Sequence, residues 1–516
     1  MAKESHHKAE NFLAISSQYK LGALVTESSH PDTHNLSKLS VNNLPEAISV
    51  LKELDRNTLS VLSEKTKEIC YLKDAVRDTF KSGKNVYFCG CGATGRLSLT
   101  IETLWRQVNE GKPMEERVFS FMSGGDVALI RSIENFEDYP LYGARQLAQA
   151  GFKEGDLLIG TTEGGETPFV IGAVEEATKL SMRKPFFLYC NPDDLLCSAA
   201  ERSKNVINNP AIEKINLTVG PMAVTGSTRM QSSTILLAAA GFALFYNDRE
   251  EAELEKTISD LRSYWNLTDI SFIGKFTESE SGFYKKSDFL LYETDRNFGI
   301  TIITDTTERS PTFSLYPFEN VHESDLKISL CYLYMPESEN SEAAWESLLW
   351  RKPRTLEWPE ISGIASGKRL LGFDFSAKVL NRRTKEGNPG TQHIFKIGKD
   401  NHGIKFSLEN NLHVLSTLFS DPLCDHLVLK MILNIHSTLI MGRHGRYEGN
   451  VMTYVRASNN KLIDRAIRYI DLILKNNKIN ASYSEICHVL YEMLEKTPSD
   501  ESIVLTTANE IQRRQK

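Results

Sequence analysis

The sequence predicts an α/β protein built on a parallel sheet with helices on both faces. Three observations carry that reading. Short apolar runs alternate with helical patterns between residues 85 and 202, and glycine-rich turns at 90–95 and 164–165 follow directly on two of those runs. A weaker round of the same alternation restarts near residue 288 and gives way to a helical tail. Alternating strands and helices imply a parallel sheet buried on both sides, and such sheets bind ligands beyond the carboxyl ends of their strands.

Taken in order, residues 1–40 read as polar and irregular, with a turn at Pro31-Asp32. Residues 44–82 show helical spacing (Leu44, Ile48, Leu51, Leu54, then Ile69, Leu72, Val76) and close at Ser82-Gly83. Strands are expected at Asn85–Cys89, Arg117–Met122, Asp156–Gly160 and Pro185–Cys190. Helices are expected at Leu97–Val108, Asp126–Ala150, Thr167–Leu180 and Asp193–Arg202, then as one long helix over Thr225–Tyr246. A charged break at Asn247–Glu255 precedes a further helix. In the second round, Asp288–Glu293 and Lys327–Tyr334 read as strands, Asn297–Thr306 and Leu427–Met441 as helices. The stretch 335–405, rich in Pro, Glu, Lys and Gly, gives no readable topology, and the tail carries helical patterns near 459–475, 481–494 and 499–513.

At 516 residues the chain exceeds what one core supports. A net charge of -7 excludes a general nucleic-acid binder, which would present a basic face. The amino terminus lacks the apolar segment of a signal peptide. The longest apolar stretch, Thr234–Phe245, falls short of the ~20 residues that span a bilayer. Eight scattered cysteines without a C-x-x-C pair fit reduced thiols in the cytosol. Neither a membrane partner nor a nucleic-acid partner is expected.

The chemistry concentrates in the two turns. In Gly90-Cys91-Gly92-Ala93-Thr94-Gly95, glycines let the backbone approach an anion, the following helix presents free N–H groups, and Thr94 adds a hydroxyl. A dinucleotide site would close the next strand with an acidic residue, but that strand ends Phe121-Met122-Ser123-Gly124-Gly125. Arg96-Leu97 stand where a Walker motif has Lys-Ser. The second turn, Thr161-Thr162-Glu163-Gly164-Gly165-Glu166-Thr167-Pro168, leads into a helix with proline in its first turn. Two such turns on neighbouring strands can grip one phosphate; the alternative is a pair of tight turns with capping threonines. Glu163 and Glu166 sit awkwardly beside a phosphate and suit a helix dipole or sugar hydroxyls better.

Several stretches together resemble one family. Leu24-Val25-Thr26-Glu27 with His30-Pro31, Gly90–Leu97, Ser123-Gly124-Gly125-Asp126 with Glu134 and Glu137-Asp138, Cys190-Asn191-Pro192, and Gly220-Pro221 with Thr225-Gly226-Ser227-Thr228-Arg229-Met230 look like the N-acetylmuramic acid 6-phosphate etherases and glucokinase regulatory proteins. That family is built from SIS (sugar isomerase) domains, three-layer α/β/α units of flavodoxin-like type. The etherases carry one per subunit and dimerise; the regulatory proteins fuse two and add a helical lid. The length and helical tail are similar to the fused form. The resemblance implies an N-terminal extension over 1–82, a first SIS domain over 83–250, a degenerate second over 251–455, and a lid over 456–516.

The halves complement one another within this resemblance. The glutamate of the etherase pattern Asp-x-x-Glu-x-x-Pro-Thr falls on Leu104 in the first half, but the second half reads Asp305-Thr306-Thr307-Glu308 followed by Pro311-Thr312. The family lysine corresponds to Leu237 in the first half and Lys430 in the second. Gly449-Asn450-Val451-Met452 and Asn459-Asn460-Lys461-Leu462 match the family ending only late in the chain. The implied site is therefore composite. Gly92, Ala93, Thr94, Gly95, Thr162, Glu163, Gly164 and Glu166 come from the first half with Glu137, while Glu308 and Lys430 come from the second. A surface glutamate and a snorkelling lysine are the alternative for the last two.

Two functions follow from the resemblance. One is a regulator that senses a hexose or amino-sugar phosphate, a monomer acting as an internal pseudo-dimer, with a sugar kinase as possible partner. The other is an etherase-type lyase releasing D-lactate, in which Glu137 removes the C2 proton, Glu308 protonates the departing oxygen, and water adds. An aldose–ketose isomerase is a third, more distant, reading. No cofactor or metal is called for, and the 12 histidines show no ligand spacing. Two departures from the etherase pattern weigh against full etherase activity: Glu166 stands in place of an arginine, and Gly220-Pro221-Met222 with Met230-Gln231 replaces Gly-Pro-Glu with Met-Lys.

Overall fold

A computed structural model describes residues 2–19, 21–133, 136–323, 327–361, 363–385, 390–417, 419, 421–455, 457, 459–498 and 501–515. Five strands, β1 (Val86–Gly90), β2 (Val118–Met122), β3 (Leu157–Thr161), β4 (Phe186–Tyr189) and β5 (Glu213–Asn216), form one sheet in the order 2-1-3-4-5. All four pairings are parallel. This is the flavodoxin-like order, whose switch point lies beside β1. Both faces are covered, as the side-chain alternation shows. Val86 and Phe88 of β1 enter one apolar core, and Tyr87 and Cys89 enter another on the opposite face. The chain is thus α/β, as its sequence predicts.

The second sheet differs from the parallel sheet expected. β6 (Phe289–Glu293), β7 (Cys331–Tyr334), β8 (Gln392–Asp400), β9 (Gly403–Leu408) and β10 (Asn411–Ser416) run in the order 10-9-8-6-7. The part 7-6-8 is parallel and repeats the arrangement 2-1-3 of the first sheet. Beyond β8 the chain turns back twice in antiparallel hairpins. Turns this short leave no room for the crossover a parallel pair needs.

Other boundaries shift for local reasons. The amino-terminal region is not irregular, since Ala2–Ile15 and Leu36–Asn42 are helices. Ala9 and Phe12 anchor the first of them to the tail helix Tyr483–Leu494. The helical pattern over 44–82 divides at Lys65 into Leu44–Glu64 and Thr66–Lys81. The expected helix Asp126–Ala150 reduces to short turns at Asp126–Leu129 and Phe136–Asp138 before Pro140–Gln149, where proline takes the first helical position. The long helix starts at Gln231 instead of Thr225, because 225–230 wraps a cavity and Gly226 holds φ +71. The charged break is shorter than expected, as a helix already begins at Glu251. Gly299–Phe313 extends well past Thr306 with Pro311 inside it.

The apolar helix expected at Leu427–Met441 extends over Pro422–Arg443, long and apolar enough to cross a membrane by length and composition, and its whole apolar window is buried within the protein. His426, Lys430, Asn434 and His436 interrupt the run in sequence and are all buried. It packs on Gln231–Phe245, while Ala93–Val108 packs on Gly299–Phe313, so equivalent helices of the two halves meet face to face. All eight cysteines are unpaired.

Candidate functional site

Between the halves lies a cavity of about 660 Å³. Its floor is the carboxyl end of the first sheet, with Cys91, Gly92 and Ala93 after β1, Ser123 after β2, and Glu163, Gly164 and Glu166 after β3. One wall is Glu308, Ser310 and Pro311 from the Gly299–Phe313 helix of the second half. Segments distant in sequence close the top: Leu24–Glu27 from the amino-terminal region, and Asn459, Lys461 and Arg465 at the start of the helix Asn460–Asn476. Gly226 lies directly beneath this lid, where a Cβ would collide with the Tyr469 hydroxyl.

The first turn is built as its glycines suggest. Gly92 takes φ +55, a conformation glycine adopts without cost. The Thr94 hydroxyl, however, does not face a ligand. It accepts from the Cys91 amide at 3.0 Å and donates to the Cys91 carbonyl at 2.9 Å, bracing the turn from within. Thr94 and Gly95 are therefore absent from the cavity lining, and Gly95 instead lies against Met122. Thr162 is likewise internal, paired with the Thr167 hydroxyl at 2.9 Å and accepting from the Gly165 amide at 3.3 Å.

Five carboxyl side chains line the cavity among the described residues, Glu27, Glu137, Glu163, Glu166 and Glu308. Glu137, half-buried, accepts from Asn459 Nδ2 at 3.0 Å and from the Cys91 thiol at 3.2 Å. Burial, with Glu137 beside it, pushes that thiol well above its ordinary value, which makes it a poor nucleophile. Glu308 is buried, and burial raises its carboxyl against the pull of Arg96, Lys430 and Arg229. Glu163 is raised further, to about 8, by burial with Glu308 adding to it, and its Oε1 has no partner among the described residues. Glu166 goes the other way. Burial would raise it, but Lys461 at 2.5 Å and Arg202 at 2.6 Å hold it at about 2. Glu134 of the same motif lies outside the described residues.

Lys430 stands behind the cavity rather than in it. Its ammonium donates to the Arg229 carbonyl at 2.9 Å, Thr234 Oγ1 at 2.8 Å and Asn434 Oδ1 at 2.8 Å. It borders only a small void shared with Glu308. Burial lowers it to about 8, against the pull of Glu308 and Asp55. The motif match located its neighbourhood, but those acceptors already engage its donors.

Sequence reasoning passed over Arg96, Lys461 and Asn459 as functional side chains although their motifs were noted. Glu27 is another such residue, buried and held at about 2 by Arg465 and Arg468 against the effect of burial. Away from the cavity, His6, Glu10 and His488 converge within 4.8 Å, a grouping that no local spacing announces because its members come from the two ends of the chain.

Residues 68–178 match the family model described as the glucokinase regulatory protein N-terminal SIS domain. The chain is 31% identical over 216 residues to an N-acetylmuramic acid 6-phosphate etherase of Aliivibrio fischeri (strain MJ11), covering 42% of this chain and 66% of that one. It is also 31% identical over 218 residues to N-acetylmuramic acid 6-phosphate etherase 2 of Vibrio cholerae, covering 42% and 64%. These matches thus span a little under two thirds of the relatives' length. Among solved structures, tagatose-6-phosphate ketose/aldose isomerase from Escherichia coli aligns over 77% of this chain and 93% of its own, at 12% identity and a TM-score of 0.43. The resemblance read in the sequence is borne out by the SIS-domain match over residues 68–178.

Proposed function

We propose that the cavity binds a hexose or amino-sugar phosphate, and that Glu137 and Glu308 act on it as base and acid of an etherase-type carbon–oxygen lyase. The contrast between the two carboxyls carries this reading. Glu137 accepts from Asn459 and the Cys91 thiol, which fix its carboxyl at the cavity beside the Gly92-Ala93 turn, where a base would remove a proton from carbon. Glu308 is raised by burial and suits the protonated form that delivers a proton to a leaving oxygen. The phosphate belongs at the Gly92-Ala93 turn, where the Ala93–Val108 helix begins. Similarity to the named etherases supports the same chemistry.

The test is release of D-lactate from N-acetylmuramic acid 6-phosphate by the full chain. Wild type should release it, and Glu137→Gln or Glu308→Gln should each lower kcat by ~10²–10⁴. No lactate at micromolar protein overturns the lyase reading.

One observation favours a second reading, a ligand-sensing regulator working as a cytosolic monomer with a sugar kinase as partner. Glu166 stands where the etherase pattern has arginine, and Lys461 and Arg202 neutralise it, so a lid contact replaces a cation in the second turn. Such a protein would release no lactate, yet hexose or amino-sugar phosphates at 100 times Kd would stabilise it by ~2.7 kcal/mol. Lactate release separates the two readings, and thermal shifts across a panel of sugar phosphates test the ligand binding that both require.

A further inference from the structure

Among the described residues six cationic side chains line the cavity, and five of them already face a carboxylate. Arg229 is paired with Asp305, Lys461 with Glu166, Arg465 with Glu27, and Arg131 and Arg369 with Glu323. Arg96 is the exception. It is 1% exposed, and no ion pair joins it to a carboxylate among the described residues. Its Nε donates to Thr307 Oγ1 of the opposite half at 3.2 Å, and its Nη2 has no partner among those residues. Burial lowers the Arg96 side chain against the pull of Glu308 and Glu163, neither of which forms an ion pair with it. A buried cation left without an anion is costly, and a bound anion relieves that cost.

The direction of the side chain narrows which anion. Arg96 leaves the glycine turn and reaches across to Thr307, the residue before Glu308. It therefore reaches toward the Glu308 side of the cavity, across from the Gly92-Ala93 turn proposed for the phosphate. A guanidinium offers planar paired donors that match a carboxylate. We propose that Arg96 binds the carboxylate of the sugar's ether substituent and is the residue by which the site tells the intact ether from the phosphosugar that has lost it. This rests on the lyase reading above.

Calorimetric titration of the Glu137→Gln chain, which leaves the ligand intact, provides the test. N-acetylmuramic acid 6-phosphate is compared with N-acetylglucosamine 6-phosphate, which lacks the lactyl group. The first should bind about ten-fold or more tightly than the second. Adding Arg96→Gln should erase the difference while leaving N-acetylglucosamine 6-phosphate affinity unchanged, and Arg96→Lys, which keeps the charge without the fork, should retain only part of it. Thermal melts without ligand confirm that each variant is folded. Equal affinity for both sugars in the parent overturns the proposal, as does an Arg96→Gln loss that is the same for both. Failure of both sugar phosphates to bind at all overturns the underlying phosphosugar reading instead, so the two failures are distinguishable.

Discussion

Burial alone would raise each of the cavity's buried carboxyls, and what stands beside each decides the outcome. Glu166 pairs with two cations and stays ionised; Glu163 has no ion-pair partner among the described residues, and burial raises it to about 8 against the weaker pull of Lys461 and Lys430. The sign of the consequence follows from linkage. Between pH 4.5, the ordinary value, and about 8, folded Glu163 keeps a proton that the unfolded chain has lost, so its contribution to stability falls as pH rises. Glu163→Gln removes that contribution. The variant should match wild type near pH 4 and exceed it at pH 8 by an amount on the order of a few kcal/mol. Urea unfolding at pH 5 and pH 8 measures this, and identical pH slopes for both proteins would refute it. Glu137 and Glu308 were legible because each sits in a short motif with fixed neighbours. The standing of Arg96 was not, because the sequence names six cations without telling which ones find a carboxylate after folding.

The helix Asn460–Asn476 shows how one element serves two surfaces. Ile463, Ala466, Ile467, Ile470 and Leu474 are buried, and the helix packs on the two that follow it, Tyr483–Leu494 and Ile503–Gln515. Lys461, Arg465 and Arg468 recur at helical spacing and reach Glu166 and Glu27 of the first half. The lid is thus held on the cavity by charge. Lys461→Met leaves Glu166 with Arg202 alone, and should lower stability by about 1–2 kcal/mol. It should also speed amide hydrogen exchange in residues 460–476 well before global unfolding. Unchanged exchange there would mean that packing alone holds the lid. The helix was readable from its periodicity, as were β1 and β3, whose residues are buried throughout. The edge strand β5 was not, since Glu213-Lys214-Ile215-Asn216 offers one apolar residue. In β8 to β10 one face is partly exposed, and polar residues such as Lys396, Lys405 and Ser407 alternate with the buried ones. The helix Ala2–Ile15 buries too few apolar residues to announce itself.

For the molecule as a whole, the halves are joined more firmly than two tethered domains. One apolar core runs through both, including Phe88 and Leu236 from the first half and Ile302 and Leu433 from the second. A segment after the helix Ser341–Leu349 clasps the first half. Arg351 reaches Glu102 at 3.1 Å and Asp126 at 2.6 Å, and Arg354 reaches Glu102 at 2.7 Å. Burial would raise Glu102, but these arginines outweigh it and hold its carboxyl far below the ordinary range. Removing both, in Arg351→Met with Arg354→Met, leaves Glu102 and Asp126 buried without these partners and should cost about 3–5 kcal/mol. Because the core is continuous, that loss should lower the midpoint of a single unfolding transition rather than release one half from the other. Scanning calorimetry of wild type and the double variant decides the matter. Two resolved transitions in wild type would show that the halves fold independently, and the composite cavity would then depend on docking rather than on a shared core.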